Sequence, residues 1–125
     1  MNKLTAKQLL LMNQKLTNEE NVTPEMLNRV EEIALLPYRQ DENSVYVYKD
    51  TIDKATVLGS SIARLRPFEK KNSQTAVVAM LTLLELNDIM LKNYENSIME
   101  LVECLLDGDL QRSSQWVKRY QKKTR

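Results

Sequence analysis

Hydrophobic side chains recur at steps of three and four residues along most of this chain, a pattern that predicts helices. Thr5 and Gln8 resemble a capping box, which predicts a first helix of about three turns. After a polar loop, Thr23 and Pro24 mark the start of a second helix. Pro37 ends it, because the residue before a proline disfavours helical backbone. The apolar positions of these helices are Leu9, Leu10, Met12 and Leu16, then Met26, Leu27, Val30, Ile33 and Ala34.

A third helix is predicted after Asp50 or Thr51, either of which can cap it. Its apolar positions are Ile52, Ala55, Leu58, Ile62 and Leu65. Gly59 lies inside this helix, where glycine costs up to about 1 kcal/mol relative to alanine, so it marks close helix packing. Pro67 ends the helix, and a polar, charged loop is predicted to follow from Arg66 to Ser73.

The most apolar part of the chain, from Ala76 to Leu91, has hydrophobic residues on nearly every helical face. Such a helix belongs at the centre of a domain, and Asn72 or Ser73 can cap it. A further helix is predicted from Tyr94 to Leu106, ending where Gly108 supplies a left-handed cap.

Asp109 can cap a last helix that carries Trp116 and Tyr120 four residues apart. Packing in the core is the default for this aromatic pair, and the alternative is a docking face for another subunit or a helical antitoxin. A basic tail, Lys118 to Arg125, follows.

The segment from Val45 to Tyr48 differs from the rest because it is β-branched and aromatic, which favours extended backbone. Four residues are too few for a sheet, so we expect a short β-hairpin flap at the edge of the protein. Either this flap packs Tyr46 or Tyr48 on the core, or its exposed edge, formed by Val45, Tyr46, Val47 and Tyr48, binds a partner by strand addition.

The 125 residues suit one domain, spanning 1–125, and contain only two glycines and three prolines. The predicted fold is all-α, with about six helices around a central buried helix and a short β-hairpin flap. The apolar cluster near the N-terminus is too short for a signal peptide or a membrane span, so a cytoplasmic location without a membrane partner is expected.

The formal charge is only +1, and aromatic residues make up 6% of the chain, so a nucleic-acid partner is not expected. The basic tail is then a solvated surface. The single cysteine, Cys104, excludes an internal disulfide and lies among leucines, which predicts a buried apolar role. The chain has no histidine, so no imidazole can act as a base, an acid or a metal ligand.

The segment from Leu65 to Ala76 resembles the active-site motif of the Fic/Doc (death-on-curing) family. In that motif a histidine precedes a phenylalanine, an acidic residue, a small residue, an asparagine and an arginine, and a Thr-Ala pair often follows in Doc-type members. Residues that match are Phe68, Asn72, Thr75 and Ala76, and Pro67 is also common at its position. The order of elements agrees too: a flap, a helix leading into the motif loop, Arg66 to Gln74, and a buried helix leading out.

Four functional positions of the motif are substituted. Arg66 stands at the place of the histidine base, and an arginine stays protonated. Lys70 replaces the acidic magnesium ligand, Lys71 replaces the small residue, and Gln74 replaces the phosphate-binding arginine. General base catalysis alone is worth about 100- to 10,000-fold in rate, so we expect no useful transferase and no bound metal.

The resemblance implies transfer of AMP or phosphate to a protein hydroxyl, an activity that these substitutions argue against. A catalytically degenerate interaction protein from a toxin–antitoxin or prophage context is therefore the first expectation. The alternatives are a module that binds ATP, another nucleotide or phosphate without catalysis, and a residually active transferase. Candidate phosphate-binding residues are Arg66, Lys70, Lys71, Asn72, Ser73 and Thr75, at a helix start where N–H groups favour anions. A solvated charged loop is the simpler interpretation of the same residues.

Overall fold

A computed structural model describes residues 1–122, which fold into six α-helices. They are α1 (Ala6–Thr17), α2 (Pro24–Leu35), α3 (Thr51–Leu65), α4 (Asn72–Leu86), α5 (Ile98–Asp107) and α6 (Leu110–Tyr120). Single 3-10 turns, Leu36–Tyr38 and Glu95–Ser97, follow α2 and precede α5. The all-α prediction is confirmed. Among these residues no helix combines the length and the apolar character that a membrane span requires.

Side chains cap four of the helices at the predicted positions. Thr5 accepts a hydrogen bond from the backbone N–H of Gln8, whose side chain accepts from the N–H of Thr5. Thr23, Asp50 and Asp109 cap α2, α3 and α6, each by a side-chain oxygen that accepts from the backbone N–H three residues later. Each such cap stabilises a helix by about 1 kcal/mol, so local chemistry sets where these helices begin.

Two helices, α3 and α4, share the centre of the domain. They pack most extensively on each other, and α3 also contacts α2, α5 and α6. A Cβ atom at Gly59 would lie 3.3 Å from Leu105 and from Met80, so this glycine does permit close packing, as predicted. Leu65, whose spacing predicts an apolar contact, is instead exposed at the end of α3.

The central helix α4 is shorter than predicted at its C-terminal end, since it ends at Leu86 instead of Leu91. Asn87 donates from its side chain to the carbonyls of Leu83 and Asn2, and Asp88 adopts left-handed backbone with φ 64°. Beyond this point, Leu91 forms an isolated antiparallel bridge with Gln121. Pairing with two distant segments therefore ends the helix.

The last helix buries Trp116 completely, and its indole N–H donates to the carbonyl of Ser97 over 3.0 Å. The core prediction for Trp116 is confirmed, so its ring is not a docking face. Cys104 is buried as well. Gly108 ends α5 with φ 68°, as predicted.

The predicted β-hairpin is reduced in residues 1–122 to a single antiparallel bridge between Gln40 and Tyr46. The carboxylate of Asp41 accepts hydrogen bonds from the backbone N–H groups of Asn43 and Val45, and these bonds shape a tight turn. Val47 donates its N–H to the carbonyl of Arg39 over 3.0 Å. The turn takes up so much of this short segment that no ladder of strand pairs forms.

Candidate functional site

The motif loop connects the two central helices, and it is shorter than predicted. Arg66 caps the C-terminus of α3, and Lys71 occupies the cap position before α4. The predicted loop residues Asn72, Ser73 and Gln74 instead form the first turn of α4. Arg66 and Lys71 both adopt left-handed backbone, with φ 50° and 57°. Because such a conformation costs a non-glycine residue about 1–2 kcal/mol, other contacts must hold the loop.

Asn72 supplies two of these contacts. Its side chain is 2% exposed and binds both backbone groups of Phe68: its Oδ1 accepts from the N–H and its Nδ2 donates to the carbonyl, each over 2.9 Å. Phe68 is itself buried in the core. The matching residues Phe68 and Asn72 thus form an internal clamp, with the Asn72 amide bonded to protein.

Asn13, on α1, is a second buried anchor, which the sequence reasoning missed. Its Nδ2 donates to the carbonyl of Lys70 over 2.9 Å and to the hydroxyl of Thr75 over 3.0 Å. The Thr75 hydroxyl donates in turn to the carbonyl of Lys71. A signal was present in the sequence, because Asn13 continues the apolar stripe of Leu9 and Leu10 at helical spacing.

The basic side chains of the loop are directed to the end of α1. Lys70 forms an ion pair of 2.8 Å with Glu19, and the hydrogen bond and charge of Glu19 raise the pKa of Lys70. Lys71 donates from its ammonium group to the carbonyl of Leu16 over 2.9 Å. Both cations are thus engaged by protein oxygens.

The remaining candidate residues of the loop and its flanks do not converge on one another. Arg66 and Gln74 are exposed, and Ser73 is half-buried. Arg64, which precedes the motif, packs against Gly108 at the end of α5, where a Cβ would lie 2.1 Å from its guanidinium. The prediction that Asn72 or Ser73 caps α4 is wrong, because Lys71 takes the cap position and no side chain caps the helix. The N–H groups of its first turn are therefore the feature on which the phosphate-site prediction still depends.

The second candidate region, the Val45–Tyr48 segment, exposes most of its apolar side chains. Val45, Tyr46 and Val47 are exposed and Tyr48 is half-buried. In the bridge between Gln40 and Tyr46, the hydrogen bonds lie on either side of the bridged pair. The N–H of Asp41 donates to the carbonyl of Val45, and the N–H of Val47 donates to the carbonyl of Arg39. In an antiparallel pair of this type the N–H and C=O of the central residue, here Tyr46, point away from the partner strand.

Lys54 of α3 holds this segment, and the sequence reasoning missed it too. Its ammonium group donates to the carbonyls of Tyr48 and Lys49 and lies 4.7 Å from the centre of the Tyr46 ring. The available signal was its position one helical turn before the buried Leu58, on an inward face.

A cavity of about 430 Å³ lies between the end of α2 and this segment. Half of its lining residues are apolar or aromatic and half are polar or charged: Leu35, Leu36, Tyr38 and Tyr46, and Lys3, Glu32, Arg39 and Gln40. Leu35 is 70% exposed although it ends an amphipathic helix. The hydroxyl of Tyr38 is enclosed and has no hydrogen-bond partner within residues 1–122, and burial raises its pKa. We call Leu35, Tyr38 and Val45–Val47 the apolar face.

The basic tail is partly neutralised where it is described. Arg119 binds both carboxylate oxygens of Glu100, at 3.0 and 3.1 Å. Lys118 and Lys122 are exposed. Lys123 and Arg125, the other predicted cations of the tail, lie outside the described residues.

Within residues 1–122 no three histidine, cysteine or acidic side chains are grouped so that they could hold a metal ion. Of the two candidate regions, one is a loop whose polar side chains bond to other protein groups. The other is the exposed apolar face. Comparisons with protein families, with curated proteins and with solved structures found no match to this chain.

Proposed function

We propose that this protein is a non-enzymatic interaction module that captures an extended segment of a partner protein on its apolar face. The partner segment places an apolar side chain in the cavity beside Leu35 and pairs its backbone with the edge at Tyr46. The degenerate Fic/Doc-like motif then serves as a structural connector, and the setting we propose for the protein is a toxin–antitoxin or prophage system.

The absence of catalysis in this proposal is supported first by composition, because the chain has no histidine to remove a proton from a hydroxyl. The contacts of the loop support it further. The amide of Asn72 is bonded to Phe68, and the ammonium of Lys70 is paired with Glu19. A nucleotide would have to displace these protein contacts before it could bind the same atoms.

The docking role rests on the exposure of Leu35 beside a cavity of about 430 Å³. Full burial of a leucine side chain is worth about 1.5–3 kcal/mol, which corresponds to about tenfold or more in affinity. Extended backbone at Tyr46 adds a donor and an acceptor for strand addition. Apolar contact and backbone pairing together are how an exposed edge recognises a peptide.

A capture experiment with matched variants tests the proposal. Leu35→Glu places a charge in the apolar face, and Met99→Glu places the same charge at another highly exposed apolar position, on α5, where Met99 is 71% exposed. We expect wild type and Met99→Glu to capture the same partner protein from an extract of the native host. Leu35→Glu should fail to capture it. Identical capture by all three proteins, measured by mass spectrometry, would overturn the proposal.

A further inference from the structure

Lys54 is a buried cation that forms no ion pair with a carboxylate of residues 1–122. Its residue is 4% exposed, and none of the ion pairs within 4.0 Å among residues 1–122 includes it. Lysine is rarely buried unless it is paired, because an ammonium group that leaves water loses a large hydration energy. Its environment must therefore replace that hydration.

Among residues 1–122, the hydrogen-bond acceptors of its ammonium group come from one short segment. The Nζ of Lys54 donates to the carbonyl of Tyr48 and, over 2.9 Å, to the carbonyl of Lys49. The ring of Tyr46 faces the same cation at 4.7 Å, within the range of a cation–π interaction. Two carbonyl dipoles and an aromatic ring thus surround the ammonium group.

The other hydrogen bonds of this segment are local. Asp41 binds the N–H groups of Asn43 and Val45, and Val47 donates to Arg39. Within the described residues, the hydrogen bonds that join residues 41–49 to the body of α3 are those of Lys54. α3 is in turn fixed by its packing on α4.

We infer that Lys54 is a latch that holds residues 45–49 in the conformation that forms the apolar face. When the ammonium group is engaged, the bridge at Tyr46 is kept in place and its outward N–H and C=O are held ready for a partner. When it is released, the segment opens. The latch stands by itself as a property of the fold, and its effect on partner capture rests on the proposed function.

Hydrogen exchange of backbone amides tests the latch without any partner. Lys54→Met keeps an unbranched apolar side chain of similar shape and removes the cation. Because hydrogen bonds to charged groups are strong, we expect the amide of Val47 to exchange at least about tenfold faster in this variant, while amides in the middle of α4 keep their protection. Lys49→Met is the matched control, since it removes a neighbouring exposed ammonium but keeps the backbone carbonyl. Equal exchange of Val47 in the two variants would overturn the latch.

A second variant decides the matter if Lys54→Met fails to fold. Tyr46→Leu alters an exposed residue of the apolar face and removes the ring that faces the cation while both carbonyl acceptors remain, so a smaller acceleration of Val47 exchange, about two- to fivefold, is expected. No acceleration would refute the latch. Faster exchange combined with unchanged partner capture would leave the latch standing and would overturn the proposed function instead.

Discussion

The motif loop and the apolar face differ from what their compositions suggest about burial. The loop is charged and resembles a catalytic motif, yet its core is held by the buried amides of Asn13 and Asn72. The Val45–Tyr48 segment is apolar and aromatic, yet three of its four residues are exposed. The comparison teaches that the bonding partners of a polar group, more than its charge, decide whether it is free to bind a ligand.

The largest expected effect is on the loop side of the comparison. Asn72→Ala leaves the N–H and the carbonyl of Phe68 buried without partners, and each such group costs about 1–3 kcal/mol. We expect the free energy of unfolding, measured with denaturant, to fall by about 2–4 kcal/mol. Gln74→Ala, on the same turn but exposed, is the control and should change stability by less than about 0.5 kcal/mol. Equal losses in the two variants would mean that the clamp contributes nothing.

A smaller effect, of opposite sign, is expected at the apolar face. Tyr38→Phe removes an enclosed hydroxyl that has no partner within residues 1–122, so at neutral pH stability should be unchanged or higher by up to about 1 kcal/mol. Burial raises the pKa of Tyr38 above its ordinary value of 10.0, so the folded state favours the neutral phenol. This contribution is fully present below pH 10.0 and is lost as the pH rises through the raised pKa.

Denaturation of wild type and Tyr38→Phe across the alkaline range measures this difference. Wild type should lose stability faster than the variant above pH 10.0. Parallel curves for the two proteins would contradict the raised pKa of Tyr38 and would mean that water reaches its hydroxyl.

For the motif loop we also expect that nucleotides and phosphate do not bind, which is the smallest of the expected effects. Titration of the protein with ATP, ADP and inorganic phosphate should give no binding heat at ligand concentrations up to about 1 mM, a limit that corresponds to about 4 kcal/mol of binding free energy. The reason is that Lys70 and Lys71 already contact Glu19 and the carbonyl of Leu16. Saturable heat that Lys71→Ala abolishes would support the alternative phosphate-binding function, and ATP-dependent labelling of an extract would support an enzyme.

Local signals predicted most of the helix boundaries. Thr5, Thr23 and Asp109 cap helices as expected, and Gly108 ends α5. These residues succeed as predictors because a cap depends on atoms within three or four residues of it. The end of α4 was predicted wrongly, since Asn87 bonds to Asn2 and the following segment pairs with residues 120–122. Hydrophobic periodicity cannot report contacts between segments so far apart in the chain.

The candidate site, too, has features that the sequence determines and features that depend on the tertiary structure. The sequence alone determined that no imidazole is present for base catalysis, because composition needs no fold. It also predicts side-chain caps for five helices, of which four form and the one expected from Asn72 or Ser73 does not. Only the tertiary structure decided that Asn72 bonds to the backbone of Phe68 and that Asn13 bonds to the motif loop. It also decided that the ammonium group of Lys54 donates to the carbonyls of Tyr48 and Lys49. Each of these roles is set by which oxygen or aromatic ring lies within hydrogen-bonding or cation–π distance, and packing of the helices fixes those distances.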